Sequence, residues 1–278
     1  MAAQSRLAPR RGLELADEAF DFLRANTRQL LGVAAIFVIP VQLLVAYLSR
    51  ATYEGNAHLG LLKGGSTGIQ SSNVISLDFA AAITSIGGIL SFFTLAAVAG
   101  PVALMVAAWA RGGAVSTSAA LRLGGKRWLS LIAACALVHV CEVIGGIAFG
   151  LGTLFAMVVF AVATPVVVLE GAGPFRAIAR SWTLSLRRFG PVLGVVLAMT
   201  LTTVLFNDAI GLVPTTLPQF VGFSGGWLLA GAGQMLAKLV TVPITAAFAA
   251  LLYIDLRSWT EGMDIVVALS SAGRAALP

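Results

Sequence analysis

Three side chains that take part in acid–base or metal chemistry in other proteins lie close together in one apolar stretch of the sequence. Cys135, His139 and Glu142 are spaced i, i+4 and i+7, so they share one face of a predicted helix. A Cys and a His at this spacing resemble half of a zinc site, or a nucleophile beside its base. A structural zinc site needs four ligands, however, and the only other histidine, His58, belongs to a polar connector. We therefore expect no catalytic residue, no metal site and no cofactor.

A second apolar stretch contains one further charged residue, Lys238. Glu142 follows Trp128 by 14 residues, and Lys238 precedes Leu252 by 14 residues. At about 1.5 Å per helical residue, both charges lie roughly 21 Å from the same membrane boundary. Because a lone charge is costly at this depth, we predict an intramembrane pair of Glu142 and Lys238, with His139 beside Glu142. Three interpretations remain open: a structural ion pair, a site that lines a solute or proton path, and a Lys238 that snorkels to the membrane surface.

The composition places these residues in a membrane. The chain has 278 residues, of which 58% are hydrophobic and 11% charged, whereas about a quarter of an ordinary soluble domain is charged. This excludes a soluble globular enzyme, and at about 20 residues per span the length accommodates about six spans and no catalytic domain. The predicted fold is an all-α polytopic membrane protein with six transmembrane helices and amphipathic interfacial helices, forming a single membrane domain over residues 1–278. The predicted spans are 30–48, 79–110, 128–147, 150–169, 189–208 and 227–252.

The basic residues indicate the orientation. Fifteen Lys and Arg residues fall in one set of segments between the spans, whereas only Arg50 and Lys63 fall in the opposite set. By the positive-inside rule, both termini and the 253–278 tail are expected in the cytoplasm of a bacterial cell, with the spans in its inner membrane. The net charge of +6 is explained by these loops, so we expect the lipid bilayer and no nucleic acid as a partner.

Residues 12–29 are predicted to form an amphipathic helix before the first span. Its polar face is acidic and includes Asp17 and Asp21, which argues against attraction to anionic lipids. Two interpretations remain: a solvated helix at the cytoplasmic membrane surface, or a docking surface for a protein partner. The expected apolar face consists of Leu13, Leu15, Ala16, Ala19, Phe20, Phe22 and Leu23.

Residues 174–188 are predicted to form a second, basic amphipathic helix on the cytoplasmic side. Arg176, Arg180 and Arg187 form one stripe, which we expect to contact lipid phosphates, the acidic residues 14–21 or another protein. The apolar residues expected on the opposite side are Phe175, Ile178, Trp182, Leu186 and Phe189.

Three motifs resemble the membrane-domain family of glycerophosphoryl diester phosphodiesterases, and they occur in that family's order. They are D-E-A-F-x-x-L-R-x-N from Asp17, E-x-x-x-P-x-x-A-x-x-R-S-W from Glu170, and L-Y-x-D-L-R-x-x-x-E-G-x-D from Leu252. The resemblance implies a six-helix bacterial inner-membrane domain. Some relatives carry a fused phosphodiesterase barrel, for which this sequence has no room, so the family name implies no activity here.

These observations favour a non-enzymatic scaffold or accessory subunit of a membrane complex that contacts a partner through its cytoplasmic helices. The alternative is a transporter, or half of a permease, with a charged site at Glu142 and Lys238. The segment E-G-A-G-P-F-R-A from Glu170 loosely resembles the coupling segment of ABC importer permeases. An intramembrane lipid-modifying enzyme is a third hypothesis, and it would need ionisable groups that converge at a membrane face.

Overall fold

The computed structural model describes residues 12–58, 73–147, 150–221 and 225–262. The structure is 91% helical, and its described part contains no strand, so the predicted all-α fold is confirmed. Most of the predicted connector after Arg50, and the tail from residue 263 onward, lie outside the described residues. The helices are α1 (Gly12–His58), α2 (Asn73–Ala110), α3 (Thr117–Gly125), α4 (Trp128–Ile147), α5 (Leu151–Val159), α6 (Ala163–Leu169), α7 (Pro174–Arg187), α8 (Phe189–Val221) and α9 (Gly226–Glu261).

Six segments of the described chain are long and apolar enough to cross a membrane, as the composition predicts. One of them combines α5 and α6, and the others each lie within a single long helix. Because the six segments follow one another in a single chain, the protein is a multi-pass membrane protein. The segments are Asp17–Arg50, Gly87–Ala110, Trp128–Gly146, Leu151–Leu169, Phe189–Pro214 and Gly226–Glu261.

The chain divides into two compact units. Within the described residues, the first unit comprises 12–33, 96–202 and 243–262, and the second comprises 34–95 and 203–242. The first therefore contains α3 to α7 entirely. The boundaries between the units fall within α1, α2, α8 and α9, not in linkers, and the single domain expected over 1–278 stays a prediction.

The first helix contains the two elements that the sequence predicted. The amphipathic helix 12–29 and the span 30–48 both belong to α1, which continues to His58. They are separated by a kink at Asn26, where φ is −122° and ψ is 15°, which is not helical backbone. The Asn26 side chain donates a hydrogen bond to the Phe22 carbonyl over 3.0 Å, and such local bonding competes with the helical pattern.

The predicted span 150–169 is present as the apolar segment Leu151–Leu169, but it consists of two helices, which the sequence analysis did not predict. α5 ends at Val159 and α6 begins at Ala163. The cause is Pro165, because proline has no N–H to donate and its ring clashes with the carbonyl four residues earlier. Ser181 of α7 donates to the Val159 carbonyl over 2.8 Å, which satisfies an acceptor at the end of α5.

α4 and α5 pack with their backbones in contact. A Cβ at Gly152 would lie 2.6 Å from the Gly145 carbonyl oxygen, which is closer than any side chain permits. These two glycines therefore allow the pair of helices to pack closely, as small residues do in membrane proteins.

Besides α1, two helices extend beyond their predicted ends, and one helix was not predicted. α8 continues past residue 208 to Val221, and α9 continues past residue 252 to Glu261, so residues 253–261 are not part of a tail. In α9 the Arg257–Glu261 ion pair, four residues apart, stabilises the helix beyond the end of the apolar run. The short helix α3 begins after Ser116, whose hydroxyl accepts a hydrogen bond from the Ala119 N–H over 3.4 Å.

Candidate interaction site on the first unit

A closed ring of five side chains connects three parts of the first unit. Arg180 of α7 donates through Nε to Glu170 Oε1 at 3.2 Å and through Nη2 to Glu261 Oε1. Glu261 accepts from Arg257 Nε at 2.8 Å, and Arg257 Nη1 donates to Tyr253 Oη at 3.1 Å. The Tyr253 hydroxyl closes the ring by donating to Glu170 Oε1 at 2.9 Å. The ring therefore fastens the residue after α6 to α7 and to the end of α9.

The charges within this ring balance. It contains two guanidinium groups and two carboxylates, all partly exposed, around a Tyr253 side chain that is buried. Burial alone lowers the pKa of Arg180, but its hydrogen bonds to Glu261 and Glu170 outweigh this effect and leave the pKa raised. Arg180 thus stays charged, and its charge is used within the protein.

Two further contacts hold the segments on either side of α7. Arg188 lies 3.9 Å from Asp255 and places its guanidinium 3.9 Å from the centre of the Trp259 ring, so the residue after α7 is fixed against α9. Arg127 donates to the Gly171 carbonyl over 2.7 Å. Both ends of α7 are therefore held by arginines through contacts within the first unit.

The α7 helix has three faces: a buried face, an exposed apolar face and the arginine stripe. Its buried face consists mostly of small residues, which permit close approach to neighbouring helices. Three of the apolar residues predicted opposite the arginines are exposed. Phe175 is 73% exposed, and Trp182 and Leu186 are each about 40% exposed. The buried face consists of Ala177, Ser181, Leu184 and Ser185.

The three arginines predicted to contact lipid or a partner differ in their surroundings. Arg176 and Arg187 are exposed, whereas Arg180 belongs to the ring. The contacts predicted for Arg176 and Arg187 stay predictions. For Arg180, the structure shows partners inside the chain instead.

The first part of α1 packs into the first unit through its apolar side. Leu15, Ala19 and Phe22 are at most 1% exposed. The Phe22 ring contacts Trp109 of α2 edge-on, with centroids 5.5 Å apart, so this side is covered by protein. Asp17 and Asp21 are exposed on the other side. The segment thus presents its acidic residues on a helix that the fold holds in place.

The intramembrane residues on α4 come together as a pair. His139 Nδ1 lies 2.9 Å from Glu142 Oε2, as the spacing predicted, and Cys135 is buried one turn before His139. In the described residues, no three His, Cys, Asp or Glu side chains are placed to hold a metal ion. Glu142 belongs to the first unit and Lys238 to the second, and the contact between them stays a prediction.

Lys238 is half-buried on α9 in the second unit, one turn after Gln234. A Cβ at Gly211 of α8 would lie 3.1 Å from Gln234 Nε2 of α9, so these helices are in contact there. Asn207 Oδ1 is buried and accepts no hydrogen bond from any described residue. The sequence analysis missed Asn207 because an amide carries no charge signal.

The ring partners of Arg180 were present in the sequence motifs but were not predicted as site residues. Glu170 and Arg180 belong to one motif, and Tyr253, Arg257 and Glu261 belong to another. The sequence did contain a signal for these residues, since each motif holds several ionisable side chains. Their pairing could not be predicted from the sequence, because Arg180 and Glu261 are 81 residues apart.

Comparison with known proteins adds no relative. No protein-family model matches the chain, and no curated protein and no solved structure shows significant similarity to it.

Proposed function

We propose that the protein is a non-enzymatic scaffold or accessory subunit of a bacterial inner-membrane complex. The observation that carries the proposal is the acidic side of α1: Asp17 and Asp21 are exposed, while the opposite side of the same helix is buried inside the protein. A helix held in this way presents its charges in a fixed arrangement, which suits recognition of a basic protein surface.

The ring supports a structural role for the ionisable residues around α7. Each of its charged groups is bonded to an opposite charge or to Tyr253, so these groups serve to join helices. An enzyme would instead direct such groups toward a cleft.

The orientation within this proposal follows from the fifteen-to-two distribution of basic residues, which places both termini and α7 on the cytoplasmic side. There, the exposed Phe175 and Leu186 enter the boundary region of the membrane, and Arg176 and Arg187 contact lipid phosphates at its surface. α7 then anchors the cytoplasmic face, and the acidic side of α1 remains open to a partner.

We further propose that the chain belongs to the membrane-domain family that its motifs resemble. The support is spatial: residues of the second and third motifs bond to each other in the ring, with Arg180 contacting Glu261. Relatives of that family should carry these ionisable residues together, and relatives that retain Arg180 but replace both Glu170 and Glu261 by apolar residues would contradict the assignment.

Affinity purification from native membranes in mild detergent tests the scaffold proposal. A partner should co-purify with the unaltered chain and should be lost with the double substitution Asp17→Asn and Asp21→Asn, while the amount of folded protein stays the same. Retention of the partner should fall as salt is raised, because exposed charge pairs are screened. The matched control is Arg122→Gln, which removes an exposed charge from α3. A chain that purifies alone, or a partner that is insensitive to the aspartates, contradicts the proposal.

A transporter is the second candidate, and two polar residues within the membrane-spanning segments favour it. Lys238 of α9 is half-buried and Asn207 Oδ1 of α8 is buried, both within the second unit. Transporter sites are often formed by broken helices, but the break between α5 and α6 gives this candidate less support. Val158, Val159 and Val162 are fully buried there, and Ser181 donates a hydrogen bond to the Val159 carbonyl, so that this carbonyl is not open to a solute. Purified protein in liposomes should conduct protons or a solute if it is a transporter, and Lys238→Met should abolish that flux without loss of folded protein.

A further inference from the structure

The α7 helix lies alongside the hairpin that α4, α5 and α6 form. It packs against all three of these helices. The centre of the Phe155 ring of α5 lies 5.7 Å from that of the Trp182 ring and 5.9 Å from that of the Phe189 ring. Trp182 belongs to the second half of α7, and Phe189 begins the next helix. Because Phe155 contacts both rings, it lies beside the second half of α7 and not beyond its end.

The turn of the hairpin is a short distance from Phe155. α5 begins at Leu151, four residues before Phe155, which is about 6 Å along the helix. The whole of α5 has 9 residues and is about 14 Å long, whereas the hydrocarbon core of a bilayer is about 30 Å thick. The turn before Leu151 therefore stays close to the second half of α7.

Charged contacts indicate that the second half of α7 lies at the polar boundary of the membrane. Arg187 is exposed and forms no ion pair with any described residue, and an unpaired guanidinium is costly in hydrocarbon. Arg180 contacts Glu261, and Arg188 lies 3.9 Å from Asp255, so α7 packs beside the charged end of α9. The Phe155 ring is consequently close to this boundary as well.

We propose that the α4–α5 hairpin does not cross the membrane but remains in the leaflet on the side of α7. A crossing hairpin would carry its turn about 30 Å away from that surface, which the contacts of Phe155 with α7 do not allow. The partner of this surface is the lipid of a single leaflet: its acyl chains contact exposed apolar side chains, and its phosphates contact Arg187. The apolar side chains are Leu129, Val140, Ile144 and Leu151.

The break between α5 and α6 agrees with this placement. Apolar helices much shorter than about 20 residues are typical of re-entrant or interfacial segments, and α5 and α6 have 9 and 7 residues. Non-helical backbone at membrane depth is tolerated where protein covers it, and Val159 and Val162 are fully buried. Four of the six apolar segments then cross the membrane, and this even number keeps both termini on one side.

Fluorescent labelling in sealed membrane vesicles tests on which side the hairpin turns. The background variant replaces both cysteines by alanine, and a single new cysteine carries the fluorophore NBD at Ile144 or Leu151, which are exposed. Dithionite does not cross membranes and destroys NBD fluorescence only from the side to which it is added. A cysteine at exposed Thr183 marks the side of α7, and one at Ser66, between the first two spans, marks the other side.

NBD at Ile144 and at Leu151 should lose its fluorescence in the same vesicles as NBD at Thr183. It should be protected in vesicles of the opposite orientation, in which NBD at Ser66 loses its fluorescence. Loss in the same vesicles as Ser66, or protection in vesicles of both orientations, would overturn the proposal.

A second measurement compares depths within the bilayer. Lipids with a nitroxide near the headgroup quench a shallow fluorophore, and lipids with a nitroxide at the chain end quench a deep one. NBD at Leu151 should be quenched more strongly by the shallow nitroxide. The matched control is Leu201 of α8, which is 60% exposed and about 18 Å along the helix from Phe189, and it should be quenched more strongly by the deep nitroxide. Preference for the deep nitroxide at both positions would overturn the proposal.

Discussion

Arg180 and Glu261 form an ion pair between α7 and the end of α9, across 81 residues of sequence. Through this pair the motif from Glu170 and the motif from Leu252 are joined, because Arg180 also contacts Glu170 and Glu261 also contacts Arg257. Of the three arginines that the sequence analysis assigned to lipid or partner contacts, Arg180 forms ion pairs within the protein, whereas Arg176 and Arg187 are exposed.

Loss of Arg180 should destabilise the protein. Arg180→Gln leaves Glu170 and Glu261 without their main partner, and we expect a loss of about 1–2 kcal/mol, since the groups are only partly exposed. Thermal unfolding in detergent measures this loss. Arg176→Gln removes an exposed arginine from the same helix and should change the stability by less than about 0.5 kcal/mol. Equal effects of the two substitutions would show that the ring contributes nothing.

Ser181 should contribute to the stability of the protein, because it donates a hydrogen bond at the break between α5 and α6. Ser181→Ala removes the donor to the Val159 carbonyl at a fully buried position, which should lower the free energy of unfolding by about 1–3 kcal/mol. Thr183→Ala is the matched control, because Thr183 is exposed and bonds only to the Ala179 carbonyl of its own helix. Unfolding curves of the two variants should therefore separate. Coincident curves would mean that the acceptor at the break does not need Ser181.

Gly145 should not tolerate a larger side chain. Gly145→Ala places a methyl group against the backbone at Gly152, so α4 and α5 must move apart, and we expect a loss of about 1–3 kcal/mol. Gly194→Ala is the control in α8, where an added Cβ meets nothing within 4 Å. It should be neutral or stabilising, since alanine favours a helix interior. A neutral Gly145→Ala would contradict the close packing of the two helices.

The predicted pair of Glu142 and Lys238 can be tested through a double-mutant cycle. If the pair exists, Glu142→Gln and Lys238→Met should each destabilise the fold, and the double variant should recover much of the loss, because no uncompensated charge remains. Thermal melting in detergent provides all four values. Additive losses would show that Glu142 is satisfied by His139 alone and that Lys238 acts independently.

Sequence reasoning succeeded where a local signal was sufficient. The bounds Trp128–Ile147 and Pro174–Arg187 agree with the predicted 128–147 and 174–188 to within a residue, because apolar runs and a proline in the first turn mark them. The break in the fourth span was missed because its apolar run is uninterrupted, although Pro165 was a readable signal.

The exposure of side chains and the contacts between distant residues could not be predicted from local sequence signals. Periodicity separates apolar from polar residues but does not tell lipid from protein interior, so the exposure of Phe175 and Trp182 could not be predicted. The buried face of α7 includes Ala177 and Ser181, whose small size permits close packing. Partners such as Tyr253 and Glu170 are distant in sequence, so only the fold shows that they meet.

The most direct test of the scaffold account is site-specific photo-crosslinking in native membranes. A photoreactive amino acid at Asp17 or Asp21 should form one discrete adduct with the same protein partner, and the same amino acid at exposed Arg122 should form none. Added salt before illumination should reduce the adduct, because the contact is between charged surfaces. Adducts only with lipid at positions 17 and 21, or the same adducts at all three positions, would contradict the account.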